Sequence, residues 1–191
     1  MKLTDSEIID QIRKGKKHLF GELIDRYKVK GFTLAVRMLK NREAAEEALQ
    51  DAFIRAYKAL DRFQGASKFG TWFYRILYNV CLTMIGNKND IHTSINHMED
   101  VSEIGDTTSF LKIEKDIDTK QLIEAIRNIV ESIPEKYASV LSLFYFQELT
   151  YEEICEITGM PIGTLKTHLF RARALVIEQL SREYQREGIL L

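Results

Sequence analysis

Between Gly159 and Ile177 the chain carries Lys166, Arg171 and Arg173 with no carboxylate among them, interleaved with Thr164, Thr167, His168 and Phe170. That set suits a nucleic-acid duplex. Lys166 and Arg171 can donate to guanine N7 and O6, Thr167 can bond a base edge or touch a thymine methyl, and Arg173 can pair with phosphate. A second group lies upstream, where Phe63, Phe69, Trp72, Phe73, Tyr74 and Tyr78 crowd around Lys68 and Arg75 beside a polar Gln64-Gly65-Ala66-Ser67 break. Aromatic faces stack on unpaired bases for about 1 to 3 kcal/mol each while cations follow the backbone, although an aromatic stripe at helical spacing is by itself ordinary core. A third group is acidic: Glu43, Glu46, Glu47, Gln50 and Asp51 share one helix face, which alone reads as solvated surface. Bond-making chemistry has no support. There is no nucleophile elbow, phosphate-binding glycine loop, metal-ligand spacing or Ser-His-Asp set, so neither cofactor nor metal nor small-molecule substrate is expected. His18, His92 and His97 join no ligand cluster, and Cys81 and Cys155 sit far apart in apolar patterns, as small hydrophobes do.

The elements that must carry these groups read as helices. Two prolines and ten glycines in 191 residues are few, which favours long uninterrupted helices over the turn-dense punctuation of a sandwich. Thr4-Asp5-Ser6-Glu7 is a capping box that opens a helix through Ile8, Ile9 and Ile12. Apolar residues recur at helical spacing over Leu19 to Tyr27, and again from Phe32 to Leu39, predicting two amphipathic helices. From Arg42 to Leu60 one apolar stripe runs opposite the acidic face, and another helix spans Thr71 to about Ile85. Further on, Asp118 caps a helix through Leu122, Ile126, Ile129 and Val130, and Pro134 starts the next at its first turn. Thr150-Tyr151-Glu152-Glu153 is a second capping box, Gly159 a stop, and a final helix begins near Pro161 to Thr164. In that last helix Leu165, Leu169 and Ala172 repeat at i, i+4 and i+7 and face the core, leaving the basic and hydroxyl residues outward. Two short helices across a Gly-containing turn form a helix-turn-helix signature.

Charge divides the chain into pieces. Residues 1–90 carry 17 basic against 11 acidic side chains, residues 91–118 carry 2 against 7, and residues 119–191 carry 8 against 10, which hides a partition inside a net charge of −1. The Asn, Asp, Thr and Ser-rich stretch between reads as a linker. The expectation is an all-α protein of two small helical domains, residues 1–88 and 119–191, joined by an acidic linker over residues 89–118. No stretch reaches the roughly 18 apolar residues of a bilayer span, and Met1-Lys2-Leu3-Thr4-Asp5 is not a signal peptide, which points to the cytoplasm.

At this point the chain resembles the extracytoplasmic-function (ECF) group of bacterial RNA polymerase sigma factors. The stretch Asn41 to Tyr57 is similar to the family's core-polymerase-binding helix, and Phe69-Gly70-Thr71-Trp72-Phe73-Tyr74-Arg75-Ile76 to its promoter-melting segment. Ile133-Pro134-Glu135-Lys136-Tyr137, Leu149 to Ile154, Gly159 to Thr167 and Arg171-Ala172-Arg173 resemble its minus-thirty-five-binding domain. The resemblance implies that Glu43, Glu46, Glu47, Gln50, Asp51 and Phe53 dock core RNA polymerase. It implies that Gln64, Gly65, Ser67, Lys68, Phe69, Trp72, Arg75 and Asn79 capture the minus-ten strand. It assigns the minus-thirty-five duplex to Thr164, Lys166, Thr167, His168, Phe170, Arg171 and Arg173. An anti-sigma partner, which could hold the protein at the membrane, and a monomeric free state are also implied. One departure stands out: the Asp and Arg run common after the matched Asn is replaced here, after Asn79, by Thr83, Gly86, Asn87 and Lys88, which reduces upstream phosphate contacts. The competing reading is a dimeric helix-turn-helix regulator that binds palindromic DNA without polymerase; it accounts for the last domain but not the first.

Overall fold

The computed structural model describes residues 3–89 and 119–186; the linker proposed above, with His92, His97 and the Asp118 cap, lies outside them. Among the described residues all regular structure is helical. Helix α1, Asp5–Arg13, opens on Thr4, whose Oγ1 accepts from the Glu7 N–H while the Glu7 carboxylate accepts from the Thr4 N–H at 2.7 Å. Helix α2 spans Phe20–Leu39 and α3 Arg42–Ala59. Lys40 turns left-handed (φ 52°) between them, and the Asn41 side chain caps α3 by accepting from the Ala44 N–H at 2.8 Å. A 3₁₀ turn, Leu60–Arg62, and the loop to Lys68 lead into α4, Phe69–Asn89.

The two helices expected over Leu19–Tyr27 and Phe32–Leu39 are one continuous α2. Lys28, Val29 and Lys30 interrupt the apolar pattern only by lying on the exposed face of the helix, and Gly31 supplies a close approach to α3. A Cβ on Gly31 would come within 2.8 Å of Leu49 Cδ1 on α3. The same economy of bulk runs down α3, where Ala45, Ala48, Ala52 and Ala56 are fully buried and let α2 and α4 pack close.

The second group comprises α5 (Thr119–Ser132), α6 (Glu135–Leu141) extended by a π-helical stretch Ser142–Phe146, α7 (Tyr151–Thr158) and α8 (Ile162–Arg186). Ile129, Ile133, Leu143, Ile154, Ile157 and Leu165 fill its interior. The two groups are packed against each other, α4 on α7 and α2 on α6 and the π-helical stretch, within one buried apolar cluster. Cys81 is buried and Cys155 partly so; neither forms a disulfide.

Candidate nucleic-acid interface

Helix α8 owes its position to the turn before it. Thr150 Oγ1 accepts from the Glu153 N–H and the Glu153 carboxylate returns the contact at 2.9 Å, starting α7; Gly159 then ends α7 in the left-handed region (φ 73°), where a Cβ is disfavoured. Pro161 follows, and α8 leaves with Leu165, Leu169 and Ala172 buried against the core. Thr164, Lys166, Phe170 and Arg173 are exposed on the outer side, with Thr167 and Arg171 half-exposed. Thr167 donates its hydroxyl to the Gly163 carbonyl at 3.0 Å, which leaves the oxygen's lone pairs free to accept.

Two members of this set are held by the protein itself. Arg173 Nε donates to the Tyr145 hydroxyl at 2.8 Å, and its guanidinium lies 5.6 and 5.8 Å from the Tyr145 and Phe144 ring centres, so it must release or share this patch to reach a phosphate. His168 packs edge-on against Tyr137 at 5.5 Å with Nδ1 buried. Burial, then the positive charges of Lys136 and Arg171, push its pKa below the ordinary histidine value, so it is neutral at pH 7 and adds no charge to the face.

On α3, Glu43, Glu46, Glu47 and Gln50 are exposed and Asp51 half-exposed, with Glu46 3.6 Å from Arg42 and Asp51 2.8 Å from Arg55. Phe53 does not join them. It is 7 % exposed and stacks on Phe73 at 4.5 Å, because its position falls on the alanine stripe and not on the acidic face. The docking role given to Phe53 is therefore corrected to core packing.

The loop before α4 exposes Gln64, Gly65 and Lys68, with Ser67 half-exposed; Arg75 and Asn79 are exposed further along α4. Trp72 is half-buried against Phe63 at 5.0 Å and keeps part of its face accessible. Phe69 is a second correction: it is 3 % exposed, ringed by Tyr27, Phe63, Trp72 and Phe73, and cannot stack on a base without leaving the core.

Sequence reasoning missed the polar groups between the two helical groups. Arg37, 3 % exposed, donates to Ser142 Oγ at 2.8 Å and lies 3.6 Å over the Phe146 ring. Burial lowers its pKa to about 10, so it remains charged at neutral pH. A lone Arg within the apolar stripe of Leu34, Met38 and Leu39 was the available signal.

Comparison with known proteins adds relatives to this geometry. Residues 23–90 match the family model described as Sigma-70 region 2, and residues 123–176 that of Sigma-70, region 4. The chain is 33% identical over 184 residues to the ECF RNA polymerase sigma factor SigW of Bacillus subtilis, covering 94% of this chain and 98% of that one. It is 32% identical over 180 residues to the ECF RNA polymerase sigma-E factor of Escherichia coli K12, covering 91% and 93%. Among solved structures, CnrH in complex with the cytosolic domain of CnrY shares the fold at TM-score 0.63 and 17% identity, over 92% of this chain and 96% of that one. RpoE in complex with the anti-sigma factor NepR from Bartonella quintana gives TM-score 0.63 and 19% identity, over 85% and 96%.

Proposed function

The chain belongs to the extracytoplasmic-function group of RNA polymerase sigma factors, and from that premise we propose how its own residues divide the work of an alternative sigma factor in transcription initiation. Residues 1–88 dock core RNA polymerase through the exposed carboxylates of α3. They engage the opened minus-ten strand through Gln64 to Lys68, Trp72, Arg75 and Asn79. Residues 89–118 are the tether, and residues 119–191 read the minus-thirty-five duplex with α8. The observation that supports this most is the outer face of α8, where Thr164, Lys166, Thr167 and Arg171 project with no carboxylate from Gly159 to Ile177.

The work is binding rather than bond-making. Lys166 and Arg171 supply donors for base edges, Thr167 a hydroxyl, and Arg173 a cation that can exchange Tyr145 for phosphate. Opening the minus-ten region costs a few kcal/mol of unstacking per flipped base, recovered in part by stacking on Trp72. An anti-sigma factor is named as the partner in the RpoE structure, and sequestration by such a protein is part of the same proposal, as is residence in the cytoplasm. A dimeric regulator would leave α3 and the loop before α4 without a task, and the relatives align across both groups.

The test is promoter binding by holoenzyme. Arg171→Ala should lower affinity for promoter duplex by roughly 5- to 150-fold, the range of one lost base contact, with co-elution on core polymerase unchanged. Loss of both together would indicate misfolding, and no change in either would remove Arg171 from the interface.

A further inference from the structure

The basic turn between α1 and α2 has no task in the reading above. Residues 11–21 hold no carboxylate, and Arg13, Lys14, Lys16 and Lys17 put four cations into five residues, all of them exposed. A helix C-terminus favours cations, which accounts for Arg13 in the last turn of α1. It does not account for the rest. Lys16 donates to Gln11 Oε1 at 2.8 Å, whereas Lys14 and Lys17 have no hydrogen-bond or ion-pair partner among the described residues.

This cluster is fixed in place by its backbone. Gly15 reverses the chain at φ 98°, where a Cβ is disfavoured, and the N–H groups of Gly15, Lys16 and Lys17 donate to the carbonyls of Ile12, Gln11 and Gly15 at 2.9 to 3.0 Å. Both ends of the turn are anchored. Buried Ile12 holds the α1 side in the core, and buried Phe20 holds the α2 side, its ring 6.5 Å from Phe53 and 4.9 Å from Tyr57 on α3.

Arg13 then decides what the turn lies beside. Its Nη2 donates to the Leu60 carbonyl at 3.1 Å and to the Phe63 carbonyl, the latter the last backbone acceptor before Gln64. The turn and the loop from Gln64 to Lys68 therefore share one end of the first helical group. Exposed Arg62 extends the positive charge there; of the nearby carboxylates, Asp10 lies 4.0 Å from Arg13 and Asp61 is exposed.

A strand captured by that loop must also enter and leave it. The Lys68 end opens onto α4, where Arg75 and Asn79 are exposed, and the Phe63 end opens onto the α1–α2 turn. Upstream of the minus-ten bases the DNA stays duplex on its way to the minus-thirty-five element, so the unpaired strand continues downstream. Its phosphates carry one negative charge per nucleotide, which unpaired lysines can match whatever the sequence.

Building on the sigma-factor reading, we propose that the Lys14–Lys17 turn is a second single-strand site: it binds phosphates of the opened strand just downstream of the bases held at Gln64 to Lys68, the loop to which Arg13 ties it.

The test uses holoenzyme and a promoter selected from a random pool by wild-type holoenzyme. Two labelled templates are compared: a bubble left unpaired from the minus-ten element downstream, and a fork in which the same strand stops at the minus-ten element. Lys14→Ala with Lys17→Ala removes two exposed cations that hold no other group, so the fold is unaffected. Each single-strand phosphate contact contributes about 0.7 to the slope of log affinity against log salt, so the bubble slope should become shallower by about 1.4; each tenfold dilution of salt then costs the variant about 25-fold in affinity relative to wild type. The fork should keep the wild-type slope, and Lys14→Arg with Lys17→Arg should restore the slope on the bubble. An unchanged bubble slope, an equal loss on the fork, or no rescue by arginine overturns the proposal. So does loss of co-elution with core, which would place the turn against polymerase instead of DNA. A wild-type chain that ignores core refutes the sigma-factor reading itself, whereas one that binds core and promoter with a slope indifferent to these lysines refutes only the downstream site.

Discussion

Phe53→Ala separates packing from docking on α3. The ring is 7 % exposed, stacked on Phe73 at 4.5 Å and edge-on to Phe20 at 6.5 Å, so it joins all three long helices of the first group. Its truncation leaves a cavity walled by Phe73 and the alanine stripe, whose methyl groups have no torsion with which to fill it. The cost is about 3 to 5 kcal/mol, the range for a buried Phe, and at roughly 2 to 4 °C per kcal/mol for a chain of this size the melting temperature should fall by about 6 to 20 °C. Glu47→Lys is the matched control: an exposed substitution on the same helix shifts stability by no more than about 0.5 kcal/mol, yet reverses charge on the proposed polymerase face. Thermal scans by far-ultraviolet circular dichroism, paired with co-elution on core polymerase below the lower midpoint, read both effects. Phe53→Ala should melt early and still bind when folded; Glu47→Lys should melt normally and fail to bind. A Phe53→Ala protein with wild-type melting and no core binding would refute the placement of this ring.

Three further outcomes are expected. The His168 pKa is lowered in the folded chain, so its contribution to stability is intact above the ordinary histidine value of about 6.5 and is lost as pH falls through the lower folded value; His168→Gln should flatten denaturant-measured stability between pH 7 and pH 5. Burial pushes the Cys81 thiol up to about 12, while partly exposed Cys155 is raised less, so iodoacetamide at pH 8 should label Cys155 first, as peptide mass mapping would show. A Cβ on Gly70 would sit 2.9 Å from Tyr27 Cε1, on a ring anchored by its hydroxyl to Asp5; Gly70→Ala should destabilise by about 1 to 3 kcal/mol in urea unfolding.

Arg37 illustrates a choice that packing alone would not make. An apolar residue at that position would bury without desolvating a charge, whereas the guanidinium holds Ser142 and Phe146 in one register. Arg37→Leu should accordingly leave the melting temperature unchanged or raise it, a result that the same thermal scans would read.

Local chemistry made several elements legible in the order of residues alone. The two capping boxes at Thr4 and Thr150, the left-handed stop at Gly159 and the Leu165, Leu169, Ala172 stripe are written in neighbours three or four positions apart, and the helix repeat converts that spacing directly into geometry. The acidic face of α3 and the basic outer face of α8 were readable for the same reason. Phe53 and Phe69 were not: both follow helical spacing, and an aromatic ring can serve a core or a partner, so only the rings of Phe73, Tyr27 and Phe63 around them decide. The continuity of α2 was not legible either: only Leu49 on the neighbouring helix shows what the missing side chain of Gly31 accommodates. The contact between the two helical groups was wholly illegible. Its pairs, Arg37 with Ser142, Lys68 with Glu153 and Tyr74 with Gln147, lie 73 to 105 positions apart, and no periodicity links residues at that range. What the sequence determined by itself was the apolar stripe of most helices, because stripes follow from short-range spacing; which faces meet was left to tertiary packing, because that depends on how two separate apolar surfaces and their few polar groups find mutual satisfaction.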